Sequence, residues 1–215
     1  MQTIGNALLS AVMLTSVLGW AAYPILYVSV LLHEIGHYLG GRLSRLERQY
    51  FITLGQGKKR LEFSFLGAAF GIGWIPVSSG YCYIKPGFAS ATPRQRLFFY
   101  SGGLLVNLLM SFLAFGLHHQ MRGGLGLEDV PSLLYQPFLS VLYLWNSSSS
   151  PVYGLDWVAA LPYTLGIINS LLFWMSLLPV RWESYANDGV HIWVLVRELL
   201  GKKQAKELSQ VIIPD

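Results

Sequence analysis

The sequence predicts an all-α polytopic membrane protein: three core transmembrane helices, room for a further N-terminal helix, and a small membrane-associated β-hairpin. Three observations carry this. Of 215 residues 53% are hydrophobic and only 12% are charged, about half the charged share of a typical soluble domain. The apolar residues fall in long runs almost free of charge. One glycine-rich stretch, 49–86, interrupts them with strand-like composition.

The first run, Ala7–Gly40, contains no charge except Glu34, which is flanked by His33 and His37. At 1.5 Å per residue it would be about 50 Å long, against a hydrocarbon core of roughly 30 Å. It is either two helices broken near Gly19–Pro24 or one long, tilted helix. Met1–Asn6 lacks a basic segment, which argues against a cleaved signal peptide. Gly55, Gly57, Gly67, Gly71, Gly73, Pro76 and Gly80 oppose a helix over 49–86. Tyr50–Leu54, Leu61–Leu66 and Tyr81–Ile84 instead have the aromatic and β-branched content of strands.

Pro93, Arg94 and Arg96 introduce a second span, about Leu97–Leu117. The loop 119–156 has an apolar middle, Pro131–Trp145, too short to cross and suited to the interface. A third span runs from about Trp157 to Leu178. Pro179 ends it, and a shorter helix, about Gly189–Leu208, follows. The chain shows no repeat and reads as one membrane-embedded domain over residues 1–215.

Charge placement gives the orientation. Nine cations, Arg42 to Arg96, fall in one segment, and Arg181, Arg197, Lys202, Lys203 and Lys206 close the chain. Residues 119–156 hold one cation, Arg122, against Glu128, Asp129 and Asp156. Short basic segments stay cytoplasmic. The expectation is a multi-pass protein of a prokaryotic plasma (inner) membrane with residues 42–96 facing the cytoplasm. The cations flank apolar spans rather than forming one face, which argues against nucleic acid as a partner. Cys82 is the only cysteine, so an intrachain disulfide and a cysteine-only metal site are excluded.

His33-Glu34-Ile35-Gly36-His37 is an H-E-x-x-H sequence in a helical, apolar setting. Residues i and i+4 lie one turn apart on one helix face, so both imidazoles can reach one zinc ion. Glu34 projects beside them and can move a proton to and from water. An acidic side chain at the centre of a spanning helix costs about 2.5–3.5 kcal/mol on insertion scales, which favours a functional site over incidental burial.

A catalytic zinc takes three protein ligands and keeps one position open. The candidates for the third are Asp188, His191, His118, His119 and Glu183. His118 and His119 end the second span at the face opposite the motif. Asp188 follows the third span as it returns, so it is the choice, with His191 one turn on as fallback. The competing role for Asp188 is a helix N-cap, worth about 1 kcal/mol.

These residues resemble the site-2 protease family of intramembrane zinc metalloproteases. His33–His37 with the basic exit Arg42 and Arg45 looks like that family's first core helix. Gly73-Trp-Ile-Pro-Val-Ser-Ser-Gly-Tyr-Cys-Tyr-Ile-Lys85 is similar to its membrane-associated hairpin. Pro93-Arg-Gln-Arg96 leading to Ser101-Gly-Gly-Leu-Leu-Val-Asn107 is similar to a further helix start. Ser176-Leu-Leu-Pro179 and Asn187-Asp-Gly189 look like its N-x-x-P and D-G elements. The matches cover about residues 20–115 and 160–195, in the family's order.

The resemblance implies one zinc ion held by His33, His37 and Asp188, Glu34 as general base and acid, and a hairpin that presents an unwound substrate strand to the metal. The expected substrate is a transmembrane protein or hydrophobic peptide, cut near the cytoplasmic side of the bilayer. Ser176, Asn107 and Asn169 are candidate substrate contacts, although for Asn107 a helix–helix hydrogen bond is the favoured reading. This chain departs from the family pattern at Ser176, where asparagine is common, at Ser79 and at Leu104. The rivals are a prenyl-peptide-type membrane zinc endoprotease and a non-catalytic zinc-binding scaffold. The oligomeric state is left open.

Overall fold

The computed structural model describes residues 2–121, 157–182 and 185–201. Pro131–Trp145, Glu183 and the end of the helix expected to reach Leu208 lie outside the described residues. The elements run α1 (Gln2–Leu43), β1 (Gln49–Phe65), β2 (Ala68–Lys85), α2 (Pro93–Met121), α3 (Trp157–Leu177), β3 (Arg181–Trp182), β4 (Tyr185–Ala186) and α4 (Asp188–Leu199).

The first apolar run is one helix of 42 residues with Pro24 inside it, so the unbroken alternative holds. The fold class does not. The protein is not all-α, because residues 49–85 form a substantial mixed sheet rather than a small hairpin. Tyr50–Leu54 pairs with Gly80–Ile84 on one side, running from Tyr50↔Ile84 to Leu54↔Gly80. On its other side it pairs with Ala68–Ile72, from Tyr50↔Ala68 to Leu54↔Ile72. Leu61–Phe65 then pairs with Ala68–Ile72. Each long strand therefore folds back, and four segments lie side by side, the middle pair parallel and the outer pairs antiparallel. Gly55 and Gly57, at φ 75° and 84°, turn the chain where an L side chain would be strained. The glycine-rich 68–73, which composition does not mark as a strand, is the sheet's second inner segment.

Three core spans are not seen either. Among the described residues only α2, Pro93–Met121, is long and apolar enough to cross a membrane, and the apolar helical stretch Leu161–Leu177 is shorter. The described half of α1 carries His33, Glu34, His37 and Arg42, which interrupt its apolar character.

One face of the inner strand, Tyr50, Ile52 and Leu54, is almost fully buried, as period-2 alternation requires. Tyr50 and Ile52 pack with Tyr38 and Leu46 around the end of α1, Ala68 and Ile84 from β2, and Phe99 from α2. This cluster seats the sheet against the end of α1 that bears the H-E-x-x-H motif. The helices are joined by buried polar contacts: Ser111 Oγ bonds Ser170 Oγ at 2.6 Å and donates to Gly166 O at 3.0 Å. Asn169 Nδ2 donates to Ser29 Oγ at 2.9 Å. Arg96 pairs with Glu198 at 3.2 Å and ties the start of α2 to the end of α4.

Candidate metal centre

The helical period brings His33 and His37 to one face of α1, with Nε2 atoms 3.1 Å apart and rings at 90°. Asp188 Oδ2 lies 3.0 Å from His33 Nε2 and 3.4 Å from His37 Nε2. Two residues four apart and a third 151 positions beyond His37 thus converge. Their ligand atoms all lie within 4.8 Å of one another. His33, Glu34 and His37 are buried.

Close helix contact makes this convergence possible. A Cβ at Gly36 would stand 2.5 Å from Gly102 O, and one at Gly102 would stand 2.1 Å from Gly36 O. The backbones of α1 and α2 therefore touch one turn from the histidines, in the manner of small-residue helix packing. Gly103 faces the site itself: a Cβ there would meet His33 Cε1 at 2.7 Å and both Nε2 atoms at 2.8 Å. Gly103→Ala is expected to displace the imidazoles, lowering stability by about 1–3 kcal/mol through overpacking and weakening metal binding. Thermal melts with and without added zinc read both effects.

Asp188 is brought in by Asn187. The N-cap of α4 is Asn187, whose side chain accepts from Val190 N, so the capping role considered for Asp188 falls to its neighbour. Asn187 Oδ1 also accepts from Val180 N at 3.1 Å, and its Nδ2 donates to Met175 O and Leu178 O, each at 2.6 Å. One amide locks the exit of α3 to the start of α4 and leaves the Asp188 carboxylate facing the histidines.

The outer nitrogens are also held. His37 Nδ1 donates to Phe99 O at 2.9 Å, which fixes the tautomer with a free Nε2 lone pair on the site side. His33 Nδ1 lies 2.9 Å from Asn107 Nδ2, while Asn107 Oδ1 is buried without a partner among the described residues. A half-turn of that amide sets Oδ1 to accept from His33 Nδ1–H, the arrangement a metal-ligating imidazole uses.

Glu34 sits against the sheet. A Cβ at Gly80 would come within 2.8 Å of Glu34 Oε1, so the carboxylate packs directly on this strand. Burial, aided by the Glu34 and Asp188 carboxylates, pushes the Cys82 thiol up from its ordinary value, so it is a poor nucleophile.

Of the other residues singled out by sequence, Asn107 and Asn169 are fully buried between helices. Asn169 bonds Ser29 and Leu165 rather than the ligand trio. Ser176 is partly buried at the end of α3, its carbonyl close to Gly189. His191 stacks on Tyr100 with centroids 4.3 Å apart and stands outside the trio. His118 and His119 lie in the last turn of α2.

The trio fits a divalent ion. Ligands at about 2.0–2.1 Å in a tetrahedron stand roughly 3.3–3.4 Å from one another, close to the 3.0, 3.1 and 3.4 Å seen here. The buried carboxylate of Glu34 and the partly buried one of Asp188, beside two imidazoles, also call for a compensating cation. The sequence model for peptidase family M50 matches residues 21–213. No curated protein matches the chain at a significant level.

Proposed function

The chain belongs to peptidase family M50, a family of membrane metallopeptidases, and from that premise we propose that it is a zinc endopeptidase cutting transmembrane or hydrophobic peptide substrates within or at the edge of the bilayer. The observation that carries this reading is the convergence of His33 Nε2, His37 Nε2 and Asp188 Oδ2 beside the buried carboxylate of Glu34.

His33, His37 and Asp188 hold one zinc ion, and Glu34 is the catalytic acid–base. When bound, the zinc supplies a Lewis acid that polarises the scissile carbonyl and activates water near neutral pH. The Glu34 carboxylate takes one proton from the attacking water as the new C–O bond forms. It returns that proton to the leaving nitrogen as the C–N bond breaks. His37, held by Phe99 O, and His33, held by Asn107, keep their Nε2 lone pairs directed at the site.

The substrate strand adds to the edge of Gly80–Ile84. That segment pairs with Tyr50–Leu54 on one side, and Gly80 packs on the Glu34 carboxylate, so this strand borders the acid–base group. A helical peptide bond is hydrogen-bonded and shielded, and edge pairing compensates the backbone groups freed when the substrate unwinds. Ser176, Asn107 and Asn169 were candidate contacts. Ser176, at the end of α3, remains one, whereas the two buried asparagines serve packing and His33.

The basic segment 42–96 supports a site that faces the cytoplasm of a prokaryotic plasma membrane. A cysteine introduced at exposed Lys58, in a Cys82→Ser background, is expected to react with a membrane-impermeant thiol reagent only from the cytoplasmic side. Labelling of intact cells would reverse the orientation. The function itself is tested with purified protein: one zinc per chain, and cleavage of a single-span peptide abolished by a chelator and restored by zinc. A preparation carrying one zinc but inert on a range of spans would favour the non-catalytic scaffold.

A further inference from the structure

At the exit of α1, on the end nearer the H-E-x-x-H motif, an open cavity of about 720 Å³ is lined by Arg42, Glu47, Arg48, Gln49, Lys85 and Pro86. Three cations face one carboxylate. None of the four is in an ion pair among the described residues, whose pairs are His33–Asp188, His37–Asp188, Lys59–Glu62 and Arg96–Glu198. Among the described residues Arg48 donates only to neutral oxygens, Glu47 O at 3.3 Å and the Ser90 hydroxyl. Its Nε is buried with no hydrogen-bond partner among the described residues. A buried guanidinium nitrogen without an acceptor is costly, and a planar fork of donors suits phosphate oxygens.

The setting is amphipathic. Leu39 and Leu43, three residues before and one residue after Arg42, are 45% and 79% exposed. A helix turn that presents bare leucines beside a basic cavity matches a ligand with an anionic head and apolar chains.

We infer that this cavity binds a phosphate-bearing anion, the headgroup of an anionic phospholipid, with Arg42, Arg48 and Lys85 around the phosphate and the acyl chains along Leu39 and Leu43. Basic pockets at the ends of membrane helices recognise headgroups in this way. A soluble phosphate ester shares the headgroup chemistry but has no use for the leucines. This site is separate from the metal centre and does not depend on the peptidase reading.

The test uses purified full-length protein in detergent, titrated with phosphatidylglycerol or phosphatidylcholine and followed by native mass spectrometry. Wild type is expected to retain one phosphatidylglycerol in preference to phosphatidylcholine. Arg42 and Lys85 are exposed, so Arg42→Gln/Lys85→Gln should fold normally while weakening binding roughly thirtyfold, about fivefold for each cation near the membrane surface. Lys58→Gln/Lys59→Gln removes equal charge from the exposed hairpin and should change binding by less than about twofold. Equal weakening by both variants, or equal retention of phosphatidylcholine, overturns the site. Displacement of the lipid by glycerol phosphate at matched concentration overturns the lipid assignment in favour of a soluble ester.

Discussion

Glu34→Gln is expected to lower the cleavage rate by about 10²- to 10⁴-fold, the usual contribution of a positioned acid–base group, with zinc content unchanged. The substitution keeps shape and removes only the ability to take a proton. Glu34 is 5% exposed and packs against Gly80, so a larger or smaller residue would disturb the sheet contact and confuse the result. The glutamine keeps the shape that packs on Gly80, so the melting temperature should move little. The three groups proposed as ligands, His33, His37 and Asp188, are untouched. Loss of cleavage together with loss of zinc would mean that Glu34 holds the ion or the fold, not the proton. Retained cleavage in a preparation free of contaminating protease would remove the acid–base role altogether.

The candidate site was legible in the sequence where it is local, and the fold was not where it depends on pairing. His33 and His37 are four apart on a helix, and four residues is a distance that helical geometry alone converts into contact. Asp188 was reached from the expectation of a third span returning to the motif's side; the described apolar stretch of that helix is too short to count as a span, yet it does bring Asp188 beside the histidines. The sheet was not. Ala68–Gly73 carries Gly71 and Gly73, which oppose a strand by propensity. It becomes one through burial between Tyr50–Leu54 and Leu61–Phe65, a case of tertiary context overriding local preference. Gly103 and Phe99 O were also missed. Phe99 acts through its carbonyl and leaves no trace in side-chain identity. Ser101-Gly-Gly inside an apolar helix was a signal of close packing, since glycine costs about 1 kcal/mol there. Asn187 was quoted only as part of a motif, yet a small amide just before a helix is the ordinary N-cap signal. The three-span expectation treated every apolar run as equivalent, whereas the described half of α1 holds His33, Glu34, His37 and Arg42 and packs on the sheet as well as on α2.

Asp188→Ala is the complementary experiment, and its effect should be larger on the metal than on the fold. The variant leaves two imidazoles and removes the anionic ligand, so zinc affinity should fall by more than the roughly 10–100-fold that losing an outer-shell partner costs. Chain-bound zinc should then drop well below one per molecule, and cleavage with it. The start of α4 should survive, because Asn187 caps it and anchors it to Met175, Val180 and Leu178. The melting temperature of the metal-free variant is therefore expected to match metal-free wild type. Only wild type should gain stability on adding zinc, since an ion that binds the native state alone stabilises it by mass action. A cap would behave in the opposite way, lowering the metal-free melting temperature and leaving zinc in place. If Asp188→Ala kept one zinc and full activity, the third ligand would lie elsewhere. His191, stacked on Tyr100 within the same helix, would then be the residue to replace.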